Sequence, residues 1–83
     1  MIRFTRHASE KFLLLRLHNV AISKRMVIRA LTNPEVIDHS RSPLLIAQIN
    51  FDKMRVLRVV YRQEGDTKVV ITFYPGRKSQ YEK

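Results

Sequence analysis

Val56-Leu57-Arg58-Val59-Val60-Tyr61-Arg62-Gln63, then Glu64-Gly65-Asp66, then Thr67-Lys68-Val69-Val70-Ile71-Thr72-Phe73-Tyr74, is the stretch that decides the fold. Both long runs are rich in Val, Ile, Thr and aromatic residues, which pack well on a pleated surface. Glu64-Gly65-Asp66 separates them as a hairpin turn. Leu57, Val59 and Tyr61 form one face of the first strand, and Val69, Ile71 and Phe73 form a matching face of the second. Keeping those faces together places Leu57 opposite Phe73, Val59 opposite Ile71 and Tyr61 opposite Val69, since a one-residue slip would expose apolar side chains on both sides. That register leaves a three-residue loop, an allowed hairpin length.

Working back from the hairpin, Leu44 to Phe51 alternates as a further strand, and Val36 to Asp38 is a short strand or extended connection. Asn33-Pro34 ends a helix, because the residue before proline avoids helical geometry. That helix starts after Ser23, a good N-cap, with Ile22 able to staple onto Val27. It runs to about Thr32, with Val27, Ala30 and Leu31 inward and Arg25 and Arg29 on another face. An earlier helix is capped by Thr5 and runs to about Leu17. Ala8, Phe12 and Leu15 give it one apolar stripe. Ile2 to Phe4 reads as an opening strand. The pattern predicts an α+β domain over residues 1–83, with two N-terminal helices packed on one face of a twisted, mainly antiparallel sheet.

The composition narrows the function. Sixteen Lys and Arg against seven Asp and Glu leave a net charge of +9 on 83 residues. A surplus of that size favours anionic partners over long range. Hydrophobic residues make up 45% of the chain, enough for a folded core. The absence of cysteine rules out disulfides and thiolate metal sites and fits a cytoplasmic protein. No signal peptide pattern is visible at Met1-Ile2-Arg3-Phe4. The longest apolar run, Phe12 to Leu15, is far too short to span a bilayer, and no basic amphipathic helix points to a membrane surface.

By alternation, the sheet face away from the helices carries Arg58, Val60 and Arg62 beside Lys68, Val70, Thr72 and Tyr74. The predicted register sets Arg62 opposite Lys68, which is unfavourable unless an anion lies between them. Gln48 and Asn50 extend the polar surface. The strand then runs into Pro75-Gly76-Arg77-Lys78-Ser79-Gln80-Tyr81-Glu82-Lys83, which adds three cations and an aromatic ring. Cations neutralise phosphates and rings stack on bases, so the pattern suits single-stranded RNA. A frayed, solubilising terminus has the same composition.

RNA cleavage needs a base for the 2′-hydroxyl, a cation for the phosphorane and an acid for the leaving oxygen. Arg58, Arg62, Arg77 and Lys78 offer the electrostatics, and Tyr74 or Tyr81 a proton. His7 sits at a predicted helix start, where the dipole favours neutral imidazole, although an ordinary surface or capping histidine fits the same position. His7, His18 and His39 lack metal-ligand spacing, and neither a phosphate loop nor a catalytic triad pattern is present. No cofactor or metal is expected.

Several segments taken together have a familiar order. They are Phe4-Thr5-Arg6-His7-Ala8 with Lys11-Phe12, Ile22-Ser23, Val27, and Ala30-Leu31-Thr32-Asn33-Pro34-Glu35. The end adds Leu57-Arg58-Val59-Val60-Tyr61-Arg62, Val70-Ile71-Thr72-Phe73-Tyr74-Pro75, Arg77-Lys78 and Tyr81. Over nearly the whole chain this resembles the small RelE/ParE-like toxin superfamily, in its compact branch opening with a Thr-x-His-Ala helix. The resemblance implies a single RelE-like domain acting as the toxin of a type II toxin–antitoxin pair. RelE-like members are metal-independent endoribonucleases that cleave mRNA, often on the ribosome. They are held by a cognate antitoxin, expected here to carry an acidic segment. By this likeness Arg58, Tyr74, Arg77 and His7 are candidate catalytic residues and Arg62, Lys78 and Tyr81 candidate RNA contacts, to which the predicted sheet face adds Lys68. One departure is plain: Ile46 to Asn50 has no cation where many RelE members carry a basic pair. ParE-like relatives share the fold and inhibit DNA gyrase, so the fold alone leaves that alternative open, as it does a non-catalytic nucleic-acid-binding module.

Overall fold

The computed structural model describes residues 1–81. Lys83, counted above among the cations of the tail, lies outside them. In chain order the elements are β1 (Ile2–Phe4), α1 (Arg6–Leu17), α2 (Lys24–Thr32), β2 (Val36–Asp38), β3 (Leu45–Asn50), β4 (Arg55–Glu64), β5 (Thr67–Arg77) and α3 (Lys78–Tyr81). The strands form one sheet in the order β1-β5-β4-β3-β2. β1 runs parallel to β5, and the remaining pairs are antiparallel. The sheet is therefore mixed, and the first strand lies beside the last.

Both long helices start where their caps predict. Thr5 Oγ1 accepts the Ala8 N–H at 3.1 Å, and Ser23 Oγ accepts the Met26 N–H at 3.2 Å. Each bond satisfies an amide that has no partner inside its own helix. The core joins Ala8, Ile22, Val27, Ala30 and Leu31 from the helical half to Ala47, Ile49, Leu57, Val59, Tyr61, Val70 and Phe73 on one face of the sheet. Phe12 and Leu15 pack against this cluster as the stripe predicts. The outer side of α1 is also apolar: Leu13, Leu14 and Leu17 are exposed. No helix among the described residues is long and apolar enough to cross a membrane.

The hairpin register differs from the alternation reading. Glu64 pairs with Thr67, so the turn is the two residues Gly65-Asp66. Gly65 has φ +57°, a left-handed conformation that glycine adopts at no steric cost. Val60 pairs with Thr72 and Tyr61 with Val70, which leaves Ile71 as an extra residue in a β-bulge. Val59 accordingly faces Phe73, and Leu57 faces Pro75. The bulge resets which residues point inward. Val70 joins the core with Phe73, and Val69 faces the other way, opposite Arg62.

Two consequences follow for the charged face. Lys68 moves to the helix side, where its ammonium donates to the Leu31 carbonyl at 2.9 Å at the end of α2. Its predicted place opposite Arg62 is taken by Val69. β5 also continues past Tyr74 through Pro75 and Gly76 to Arg77, and the chain then turns into the single-turn helix α3. That turn carries Tyr81 back over the sheet face opposite α1 and α2.

Candidate nucleic-acid interface

Register brings Gln48 of β3, Arg58 of β4 and Tyr74 of β5 side by side on the face away from α1 and α2. Arg58 is their hub. Its Nη1 donates to Gln48 Oε1, its Nη2 to Asp38 Oδ2 at 2.8 Å, and its Nε to the Tyr74 hydroxyl at 3.1 Å. The Tyr81 ring covers the guanidinium plane, with its centroid 4.0 Å from Cζ. Arg58 is only 4% exposed and Gln48 2%. A buried charge needs this degree of pairing, since an unpaired one would be expelled or neutralised. No buried side-chain nitrogen or oxygen among the described residues lacks a partner.

The electrostatics agree with the geometry. Hydrogen bonds from Arg58 and then Ser40 hold the Asp38 carboxyl well below the usual carboxylate range. Burial by itself would weaken the charge on Arg58, but the bonds to Asp38 and Tyr74 outweigh it and raise its pKa. Burial, reinforced by the neighbouring Tyr74, pushes the Tyr81 phenol up, against the opposing pull of Arg58 and Arg41. The phenol therefore stays protonated at neutral pH. At the β5 edge Lys11 reaches from α1 to the Thr72 hydroxyl at 2.9 Å. Desolvation lowers its pKa, partly offset by Tyr74.

Beside this row, at the end of the sheet where β4 begins and β5 ends, lies a cleft of about 380 Å³. Lys53, Met54, Arg55, Arg77, Lys78 and Ser79 line it. Arg55 and Arg77 are cross-strand partners, an arrangement that opposes like charges. Asp52 offsets part of the repulsion through an ion pair to Arg55 at 2.7 Å. The same carboxylate shapes the Asp52–Arg55 turn by accepting the Met54 and Arg55 amides. Among the described residues, no carboxylate pairs with Lys53, Arg77 or Lys78.

The predicted site residues therefore divide into groups. Arg77 and Lys78 share the cleft. Arg58, Tyr74 and Tyr81 share the sealed row. Arg62 is exposed and paired with Glu64, which Arg3 also approaches at 3.6 Å. It stands seven positions from Arg55 along β4, about 23 Å at the rise of a strand. Lys68 caps α2 behind the sheet. His7 is exposed on α1 and makes no hydrogen bond to Arg58, Tyr74 or Arg77. The expected single open patch of Arg58, Arg62 and Arg77 does not form: burial takes Arg58 out of it, and strand length separates Arg62.

Sequence reading placed Gln48 on this polar surface and missed Asp38, Lys53 and Arg55. Asp38 was detectable only through the strand order, which sets its side chain beside Arg58. Lys53 and Arg55 carried a local signal, since Asp52-Lys53-Met54-Arg55 is a turn-forming run between two strands. Among the described residues, no group of three or more His, Asp or Glu side chains is arranged to hold a metal ion. A scan against protein-family models and searches of curated proteins and of solved structures find no match to this chain.

Proposed function

We propose that this domain is the toxin of a type II toxin–antitoxin pair and acts on RNA as a metal-independent endoribonuclease. The observation that carries the reading is the cleft, in which Lys53, Arg55, Arg77 and Lys78 converge, with Asp52 paired to Arg55 beside them. Such a cleft tracks a polyanion backbone. In the proposed reaction solvent water takes the 2′-hydroxyl proton, the 2′ oxygen attacks phosphorus and the bond to the 5′ oxygen breaks. The products are a 2′,3′-cyclic phosphate and a 5′-hydroxyl. Arg77 and Lys78 stabilise the phosphorane, and a tyrosine phenol protonates the leaving oxygen. An acidic segment of the antitoxin covers the same cations, and the exposed Leu13, Leu14 and Leu17 offer it an apolar anchor.

One observation favours a second reading. Among the described residues, the cleft is lined by cations, a methionine and a serine, without histidine or carboxylate. That lining binds polyanions without supplying a general base, which suits a non-catalytic inhibitor, whether of gyrase or of an RNA target.

Incubating the protein with RNA in EDTA, with and without ribosomes, separates the two. Cleavage in either tube supports the nuclease, and intact RNA in both rejects it. Loss of supercoiling activity in a gyrase assay then identifies the ParE-like alternative. On the RNA-binding reading, Lys53→Ala/Arg77→Ala/Lys78→Ala keeps the fold and weakens RNA binding at low salt. The slope of log affinity against log salt flattens by about 2, near 0.7 per lost phosphate contact. Fluorescence anisotropy with a labelled oligonucleotide across a salt series checks this. An unchanged slope places the interface elsewhere.

A further inference from the structure

We propose that the face of the Arg58 guanidinium is a nucleobase-stacking site, filled in this structure by Tyr81, and that a base of RNA held in the cation cleft replaces the tyrosine ring. The inference rests on the RNA-binding reading above and names where the base goes.

The edges and the face of Arg58 have different occupants. Asp38, Gln48 and Tyr74 take its N–H edges. A phosphate would have to evict the Asp38 carboxylate to reach those donors. The Tyr81 ring lies over the face. Guanidinium planes stack on nucleobases as they do on aromatic side chains. Exchanging one ring for another leaves every N–H bond of Arg58 intact and keeps the charge covered.

The element that holds Tyr81 is slight. α3 is four residues long, with Ser79 and Gln80 exposed. The Lys78 amide ties its start to the Met54 carbonyl at 2.9 Å. Gly76 provides the seat: a Cβ there would overlap the Tyr81 ring. Gly76 directly precedes Arg77 and Lys78 of the cleft, so the base site and the phosphate site share one stretch of backbone. A strand whose phosphate lies between Arg77 and Lys78 has its neighbouring base within reach of the ring position.

Two variants vacate the site by different routes. Tyr81→Ala deletes the ring. Gly76→Ala retains it but blocks its seat, and Gly76 does not occupy the left-handed region, so alanine is compatible with the backbone. The probes are fluorescein-labelled hexaadenosine RNA and the matching abasic ribose-phosphate oligomer, titrated into the full chain across a salt series. Both variants are expected to bind hexaadenosine about tenfold more tightly than the parent, the value of one gained base stack. Their salt slope and their affinity for the abasic oligomer stay unchanged. Weaker hexaadenosine binding by Tyr81→Ala overturns the inference, because Tyr81 would then be the stacking partner itself. Equal tightening toward the abasic oligomer overturns it too, since the gain would be electrostatic. Unaltered affinity in both variants rejects the base site and leaves the RNA reading standing. No binding by the parent or by either variant rejects both. A thermal melt identifies a variant that fails to fold, and the other then decides.

Discussion

Arg58→Ala is expected to destabilise the domain by roughly 3 kcal/mol, the scale of breaking a buried ion pair from one side. The substitution strands Gln48, which is itself buried, and removes the surface on which Tyr81 lies. The Asp38 side chain is 28% exposed and can recover some hydration, which keeps the loss near the lower end of the range for buried pairs. Urea denaturation reads the effect as a lower midpoint. A midpoint within error of the parent would show that Arg58 is not the strut described here. Alternation alone sets Arg58 on the outer face of the sheet, and removing a solvent-facing side chain there would leave stability almost unchanged.

The pair also sets a pH dependence. The carboxyl of Asp38 is depressed in the folded state, first by the Arg58 hydrogen bonds and then by Ser40. A depressed carboxyl contributes stability that is complete above its unfolded value of about 3.9 and is lost as pH falls toward the folded value. The parent should therefore lose stability steadily below about pH 4. In Arg58→Ala that part of the acid limb is missing. Denaturation midpoints collected between neutral and strongly acidic pH test the difference in slope.

Phe73→Ala is the second large effect, expected to cost about 3–5 kcal/mol. Phe73 is fully buried, and its ring lies 4.5 Å from that of Phe12, which in turn meets Phe4 at 5.8 Å. Total stability for 83 residues is on the order of 4–12 kcal/mol, so the loss leaves a marginal fold. The informative control is Ile71→Ala. Uninterrupted alternation puts Ile71 in the core opposite Val59. The structure puts Phe73 there and leaves Ile71 half-buried at the bulge. Ile71→Ala should then cost only about 1 kcal/mol. Comparable losses from the two substitutions would favour the unbulged register over the one observed.

These contrasts show where the sequence is legible. Caps and stripes are local signals, so Thr5, Ser23 and the inward faces of α1 and α2 could be read directly. The hairpin could be read as well, because a glycine at the turn stands between two β-rich runs. The bulge at Ile71 could not: alternation has no mark for one inserted residue, and Val69, Val70 and Ile71 are all apolar. That insertion decides which face Lys68 and Val70 occupy, so an error of one residue misplaced two members of the polar surface. Arg58 shows a second limit. Its alternation position was right, but its burial depends on Asp38, Gln48 and Tyr81, which strand order and the fold-back of α3 bring together. Arg77 and Lys78 were legible as site residues because they follow the last strand directly. Their companions Lys53 and Arg55 meet them only through the pairing of β4 with β5.

The parallel pairing of Ile2–Phe4 with Lys68–Val70 also bears on biosynthesis. Until Val70 has left the ribosomal tunnel, β1 has no neighbour, and the nascent α1 and α2 have only part of the surface they will cover. Contacts this distant in sequence close late and slow the folding step. Arg77 and Lys78 emerge later still, so the cation-lined end of the sheet is assembled after β1, β4 and the start of β5 have been translated.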